Sequence, residues 1–250
     1  MIDKIKKIIK RVFKTFGYKV YKINTPIVIY KYNTPFTMQT ALQRCVNRGL
    51  KVNTVIDVGA SDGRWSKMCM NIIPEAKYLL VEAQEDHKEG LINFKESNEN
   101  VAYIIAAAGK ENGTIYFDNT GLFGGIASTE KFEKNCIEVP MINLDSEIES
   151  RELEGPYLLK LDTHGFEVPI LEGAKELIKN AALIIIETYN YKLTDDSLKY
   201  HEMCSYMEKL GFSSIEMVDF MQRKYDDSFW QMDTFFIPSN SKEFSYNSYI

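Results

Sequence analysis

No apolar run in the sequence approaches the ~20 residues that cross a bilayer as a helix. The first apolar residues are interrupted by lysines, so neither a membrane span nor a secretory leader is expected. Cysteine is scarce: Cys45, Cys69, Cys136 and Cys204 are scattered, with no Cys-x-x-Cys pair and no histidine at metal-ligand spacing. That argues against a zinc site and points to reduced thiols in a cytoplasmic protein. Familiar nucleotide signatures are missing as well. There is no Gly-x-Gly-x-x-Gly, and the glycine-rich stretch Asp118 to Ser128 does not end in Gly-Lys-Ser/Thr. Tyr189 and Tyr191 lack a lysine four residues on, and Tyr157, ahead of Lys160, sits in a strand pattern. A dehydrogenase or epimerase reading therefore lacks its usual residues.

What is present begins with a charge asymmetry. The chain has 250 residues and a formal net charge of -5. Within residues 1 to 22, Lys4, Lys6, Lys7, Lys10, Arg11, Lys14, Lys19 and Lys22 face Asp3 alone, so the remainder is acidic. An acidic remainder disfavours nucleic acid as a partner, because phosphate contacts need clustered cations. Ile2, Ile5, Ile9, Val12, Phe13 and Phe16 recur at helical spacing, which makes residues 1 to 16 a basic amphipathic helix. Packing of its apolar face on its own domain is the preferred reading, and peripheral contact with an anionic membrane is the alternative. Residues 1–40 are assigned to this helix and a linker, 41–238 to the main domain, and 239–250 to a polar tail.

The domain is organised around Val55-Ile-Asp-Val-Gly-Ala-Ser-Asp-Gly-Arg-Trp65. A β-branched run reads as a buried parallel strand, ends in Gly59 to Gly63, and passes straight into a helical pattern. That is the first unit of a doubly wound nucleotide-binding fold. About twenty residues on, strand Lys77 to Val81 ends in Glu82, where an acid can hold ribose hydroxyls. Further along, a helix is expected over Asp86 to Ser97 and strands over Val101 to Ala107, Thr114 to Phe117 and Ile137 to Ile142. Asp118 to Ser128 reads as an ordinary surface loop or a flap over a pocket. A second informative stretch, Leu158 to Ala174, is a buried strand ending at Asp162, a turn Thr163-His164-Gly165, and a helix with Pro169 in its first turn. Strand Leu183 to Ile186 then ends at Glu187, a helix spans Ser197 to Leu210, and Ser213 to Phe220 and Trp230 to Ile237 close the domain as an antiparallel hairpin.

The VIDVGASDG turn, Glu82, AAAGKENGTIYF, VPMINLDSEI and above all LLKLDTHGFEVPILEGA resemble the FkbM-type S-adenosylmethionine-dependent methyltransferase family, in order from about Val52 to Ile237. One departure is Ala83-Gln84, where the family often has proline after the ribose-binding acid. The resemblance implies a Rossmann-like class I methyltransferase fold: an α/β architecture with a mostly parallel seven-stranded sheet, a C-terminal antiparallel hairpin and helices on both faces. It implies S-adenosyl-L-methionine as cofactor and methyl transfer to a hydroxyl of a small molecule, sugar or glycan. The cofactor set expected is Asp57, Gly59, Ala60, Ser61, Asp62, Gly63, Glu82, Ala83, Ala107 and Asp162.

The sulfonium already carries a good leaving group, so such an enzyme aligns the acceptor oxygen and helps remove its proton. Asp162 and His164 lie beyond the carboxyl end of a central strand, where open α/β sheets bind ligands. They are the catalytic candidates, with an N-cap role for Asp162 and a merely structural turn histidine as the bland readings. Asp162 and Glu187 could hold Mg²⁺, although two carboxylates do not specify a site. His87 and His201 fall in helical stretches and are expected to be exposed. Asp162-Thr163-His164-Gly165 stands where nucleic-acid amine methylases commonly carry Asn/Asp-Pro-Pro-aromatic, which disfavours that activity.

Overall fold

The β-branched and leucine-rich runs become the centre of a sheet because their residues have no solvent-facing side. The computed structural model describes residues 36–249. The basic helix expected over residues 1–16 lies outside the described residues. In the first half, α1 (Met38–Asn47) leads to β1 (Thr54–Val58), α2 (Arg64–Met70), β2 (Lys77–Glu82), α3 (Lys88–Glu96) and β3 (Val101–Ile105). In the second half, α4 (Leu144–Ser150) leads to β8 (Tyr157–Leu161), α5 (Glu167–Glu172), α6 (Lys175–Lys179), β9 (Ala181–Tyr189), α7 (Tyr200–Lys209), β10 (Phe212–Gln222) and β11 (Phe229–Pro238). β1 and β8 are buried at every residue, as strands covered on both faces must be.

These strands form a seven-stranded sheet in the order β10-β11-β9-β8-β1-β2-β3. β3, β2, β1, β8 and β9 run parallel, while β11 runs antiparallel to both β9 and β10. The expected hairpin is therefore there, with its second strand inserted between β9 and the edge strand β10. Alternate strand residues point to two apolar layers. Val55, Tyr78, Leu80, Leu158 and Ile185 pack with α1, α2 and α3. Ile56, Leu79, Leu159, Ile184 and Phe236 pack with α4 to α7. This is the doubly wound, Rossmann-like arrangement expected, with helices on both faces.

Several boundaries differ from the sequence reading. The domain start expected at residue 41 falls inside α1, whose Met38, Ala41, Leu42 and Cys45 are core residues; the compact unit begins at Phe36. The strand expected over Val101 to Ala107 breaks at Ala106. Its continuation, β4 (Ala107–Gly109), joins a second sheet with β5 (Gly113–Asp118), β6 (Ile126–Ser128) and β7 (Cys136–Asn143), in the order β4-β7-β5-β6. A continuous apolar run cannot reveal where a chain changes sheets. The polar tail carries a short 3₁₀ turn, and Lys242 Nζ donates to the Arg48 carbonyl at 2.8 Å. No helix among the described residues is long and apolar enough to cross a membrane. All four cysteines are free thiols.

Candidate active site

Register decides which residues meet. Val58 pairs with Val81 on one side and Leu161 on the other, so the loops leaving β1, β2 and β8 emerge side by side. A cavity of 510 Å³ opens there. Gly59 has φ +76°, and a Cβ on it would lie 2.0 Å from the Asp162 carbonyl oxygen. Glycine is thus required where the first loop passes under the β8 loop, as well as for approach of a ligand.

The ribose-binding candidate Glu82 is buried and placed to organise the turn. One oxygen accepts from the Ser61 amide at 2.7 Å and the other from the Gln84 amide at 2.8 Å. Each oxygen keeps a lone pair for a ligand hydroxyl. Of the cofactor set expected from sequence, Gly59, Ala60, Ser61, Glu82, Ala83, Ala107 and Asp162 line the cavity. Asp57, Asp62 and Gly63 do not. Asp57 is fully buried beneath the turn, where Ser66 Oγ donates to it at 2.7 Å. Asp62 turns outward to Arg64 at 2.9 Å, and Gly63 packs its backbone against Leu80, Leu91 and Phe94.

His87, expected to be exposed, is buried, whereas His201 is exposed. The His87 Nε2 lies 2.7 Å from the Leu122 carbonyl oxygen and its Nδ1 lies 3.4 Å from Ser61 Oγ. Gln84 Nε2 donates to the Gly121 and Leu122 carbonyls at 3.2 Å each. The glycine-rich stretch is therefore a cover over the cavity, pinned to the Glu82 loop. Nothing in the helical spacing of His87 could have signalled this contact.

The chemistry-bearing groups gather at the end of β8. His164 occupies the left-handed region at φ 51°, uncommon for a non-glycine residue and costly unless its surroundings enforce it. Buried Glu167 enforces it by accepting from the Gly165 amide at 2.8 Å and from Thr163 Oγ1 at 3.2 Å. His164 Nδ1 lies 3.1 Å from the Gly125 carbonyl oxygen, so this nitrogen carries the proton. Its Nε2 lies 3.6 Å from Asp162 Oδ1 and 3.6 Å from Glu187 Oε2. Asp162 and Glu187 meet because Leu161 pairs with Ile186, which puts the next residues of both strands side by side. The N-cap reading of Asp162 falls, since α5 has no side-chain cap.

Lys160, which sequence reading passed over, supplies the counter-charge. It pairs in register with Asp57 across β8 and β1. Its Nζ lies 2.9 Å from Asp162 Oδ2 and 3.6 Å from Asp57 Oδ1, with almost no exposure. Burial pushes the Lys160 ammonium down, but Asp162, Asp57 and Asp233 outweigh it and hold it above its ordinary value. Burial pushes Asp162 up, yet Lys160 and His164 hold its carboxyl below the usual range. Burial, with Asp162 next to it, pushes Glu187 up to about 9. The pair thus divides its charge, with Asp162 ionised and Glu187 protonated near neutral pH. Tyr189 Oη and Gln231 Nε2 both donate to Glu187 and fix its carboxyl plane. One signal of Lys160 was on show: a single charge inside the apolar strand Tyr-Leu-Leu-Lys-Leu.

A doubly wound sheet with the last strand tucked between β9 and β10, and a site at the carboxyl ends of β1, β2 and β8, defines a class I methyltransferase architecture. The methyltransferase FkbM domain matches residues 57–214, and the chain belongs to that family. A methyltransferase FkbM from Methylobacillus flagellatus has a similar solved structure, with 13% identity and a TM-score of 0.50 over 75% of this chain. The present chain spans only 45% of that protein's length. A 1,6-didemethyltoxoflavin-N1-methyltransferase from Burkholderia thailandensis, solved with S-adenosylhomocysteine, aligns at 8% identity and TM-score 0.46, covering 80% of this chain and 77% of that one. No curated protein matches the chain.

Proposed function

We propose that the protein transfers a methyl group from S-adenosyl-L-methionine to a hydroxyl oxygen of a small molecule, sugar or glycan. The observation that carries this reading is one cavity holding both the Glu82–Ser61 turn and the Asp162–His164 pair. In it, Glu82 accepts from the ribose hydroxyls, Gly59 and Ala60 present backbone to the methionyl part, and ionised Asp162 meets the methionyl ammonium. Ala83 and Ala107 leave room for a flat base between the β2 and β3 loops. The acceptor oxygen arrives opposite the sulfur, forms the bond to the methyl carbon as the carbon–sulfur bond breaks, and gives up its proton at the Asp162–His164 pair.

Oxygen is favoured as acceptor by the groups at the turn. A carboxylate and an imidazole suit removal of a hydroxyl proton, whereas a planar amine needs no comparable help. The test is a panel of hydroxyl-bearing and amine-bearing acceptors with methyl-labelled cofactor, the products read by mass and by linkage stability. Label on oxygen is the expected result; transfer confined to nitrogen would overturn the acceptor assignment.

A further inference from the structure

His164 Nε2 faces two carboxylate oxygens at 3.6 Å each, too far for hydrogen bonds, while its Nδ1 is occupied by the Gly125 carbonyl. With the proton on Nδ1, the Nε2 lone pair is left facing the two carboxyl groups, in the position of a metal-ligand nitrogen. The three donor atoms, one each from Asp162, His164 and Glu187, all lie within 4.8 Å of one another. Two donors about 2.1 Å from a common ion stand roughly 3.0–3.4 Å apart at octahedral or tetrahedral angles, and the two spacings from His164 Nε2 are slightly wider at 3.6 Å each.

We propose that Asp162, His164 and Glu187 bind a divalent first-row transition cation, which receives the acceptor hydroxyl at an open coordination position. The imidazole nitrogen shifts the set away from Mg²⁺ and Ca²⁺, which prefer oxygen alone, toward Mn²⁺, Fe²⁺, Co²⁺ or Zn²⁺. The supports around the triad are those a metal-binding histidine and carboxylate need. Gly125 fixes the imidazole tautomer and ring plane, and Tyr189 and Gln231 fix Glu187. Pocket exposure of Asp162 and His164 leaves the remaining positions to the acceptor and water. With Asp162 and His164 engaged as ligands, the cation takes over their part in deprotonation, and the bound hydroxyl loses its proton to solvent at the cavity mouth. The oxygen keeps the electron pair and attacks the methyl carbon, and the sulfur leaves with the electrons of its broken bond.

The inference rests on the reading of this cavity as the methyl-transfer site, and its test separates the two. Full-length protein stripped with chelator is titrated with Mn²⁺, with loss of the free-ion paramagnetic resonance signal as readout, and separately with S-adenosylhomocysteine by calorimetry. One Mn²⁺ per chain is expected, with binding weakened at least ~10-fold in His164→Ala and in Glu187→Gln. Both variants should keep S-adenosylhomocysteine affinity, which also certifies their fold. Mn²⁺ binding that is absent, or equal in wild type and both variants, overturns the metal site while leaving the cofactor reading intact. Specific Mn²⁺ binding without S-adenosylhomocysteine binding upholds the metal site and overturns the cofactor reading.

Discussion

Lys160 and Asp57 are neighbours because β8 and β1 pair in register, and both are almost fully buried. A buried ion pair contributes little over an apolar pair of the same shape, but removing one partner strands the other charge. Lys160→Met should therefore cost about 3–5 kcal/mol in urea unfolding. A loss below about 1 kcal/mol would show that Asp57 finds other compensation. His164 gives a different signature. His164→Ala should lower kcat by about 10²–10⁴ and leave S-adenosylmethionine affinity nearly unchanged, whether the imidazole acts alone or as a ligand. Wild-type turnover in that variant would remove it from the chemistry. Glu82→Ala should weaken S-adenosylhomocysteine binding by about 1–3 kcal/mol, and an unaltered dissociation constant would take Glu82 out of the site. Chain pattern pointed to Glu82, Asp162, His164 and Gly59, all of which line the cavity, since each stands at a strand end or in the turn after it. It misplaced Asp57, because a strand interior alternates faces and Asp57 points beneath the turn toward Ser66. It missed Glu167 and His87, whose partners are fixed only by tertiary packing.

At the scale of elements, the cover over the cavity and the α1–β10 clamp are the parts most open to perturbation. Residues 121–125 are held to the β2 loop by Gln84 and His87, and to the β8 turn by His164. His87→Ala removes one anchor, so proteolytic nicking within 118–128 should accelerate and the cofactor KM should rise. A nicking rate equal to wild type would mean that the cover does not depend on His87. On the opposite side, Arg44 and Arg48 both bond Glu216, tying α1 to the edge strand. Burial pushes the Glu216 carboxyl up, but the two guanidiniums outweigh it and hold it below its ordinary 4.5. A lowered carboxyl contributes stability that is present above its unfolded pKa and lost as pH falls through the folded value. Wild type should therefore lose stability more steeply than Glu216→Gln below pH 4.5, as read by thermal melts. Parallel curves would deny the clamp. The main-sheet strands were legible because continuous β-branched runs bounded by turns have few alternatives. The second sheet was not: β4 and β6 are three residues each, too short to show a period, and they exist only through pairing with β7 and β5.

For the whole molecule, sheet order explains why one cavity collects both the Glu82 turn and the Asp162–His164 pair. β1 and β2 bring the glycine turn and Glu82 together, while β8, β9 and β11 bring Lys160, Asp162, Glu187 and Asp233 to the adjoining end. The cavity wall carries Glu82, Asp162, Asp219 and Asp233, and burial pushes Asp233 up to about 7 against the opposing charge of Lys160. Such a wall suits a cationic sulfonium cofactor. The central claim is cofactor identity, and calorimetric titration of the full chain with S-adenosylhomocysteine against NAD⁺ tests it most directly. The account predicts one S-adenosylhomocysteine bound per chain and no heat from NAD⁺. Saturable NAD⁺ binding with none for S-adenosylhomocysteine would contradict it.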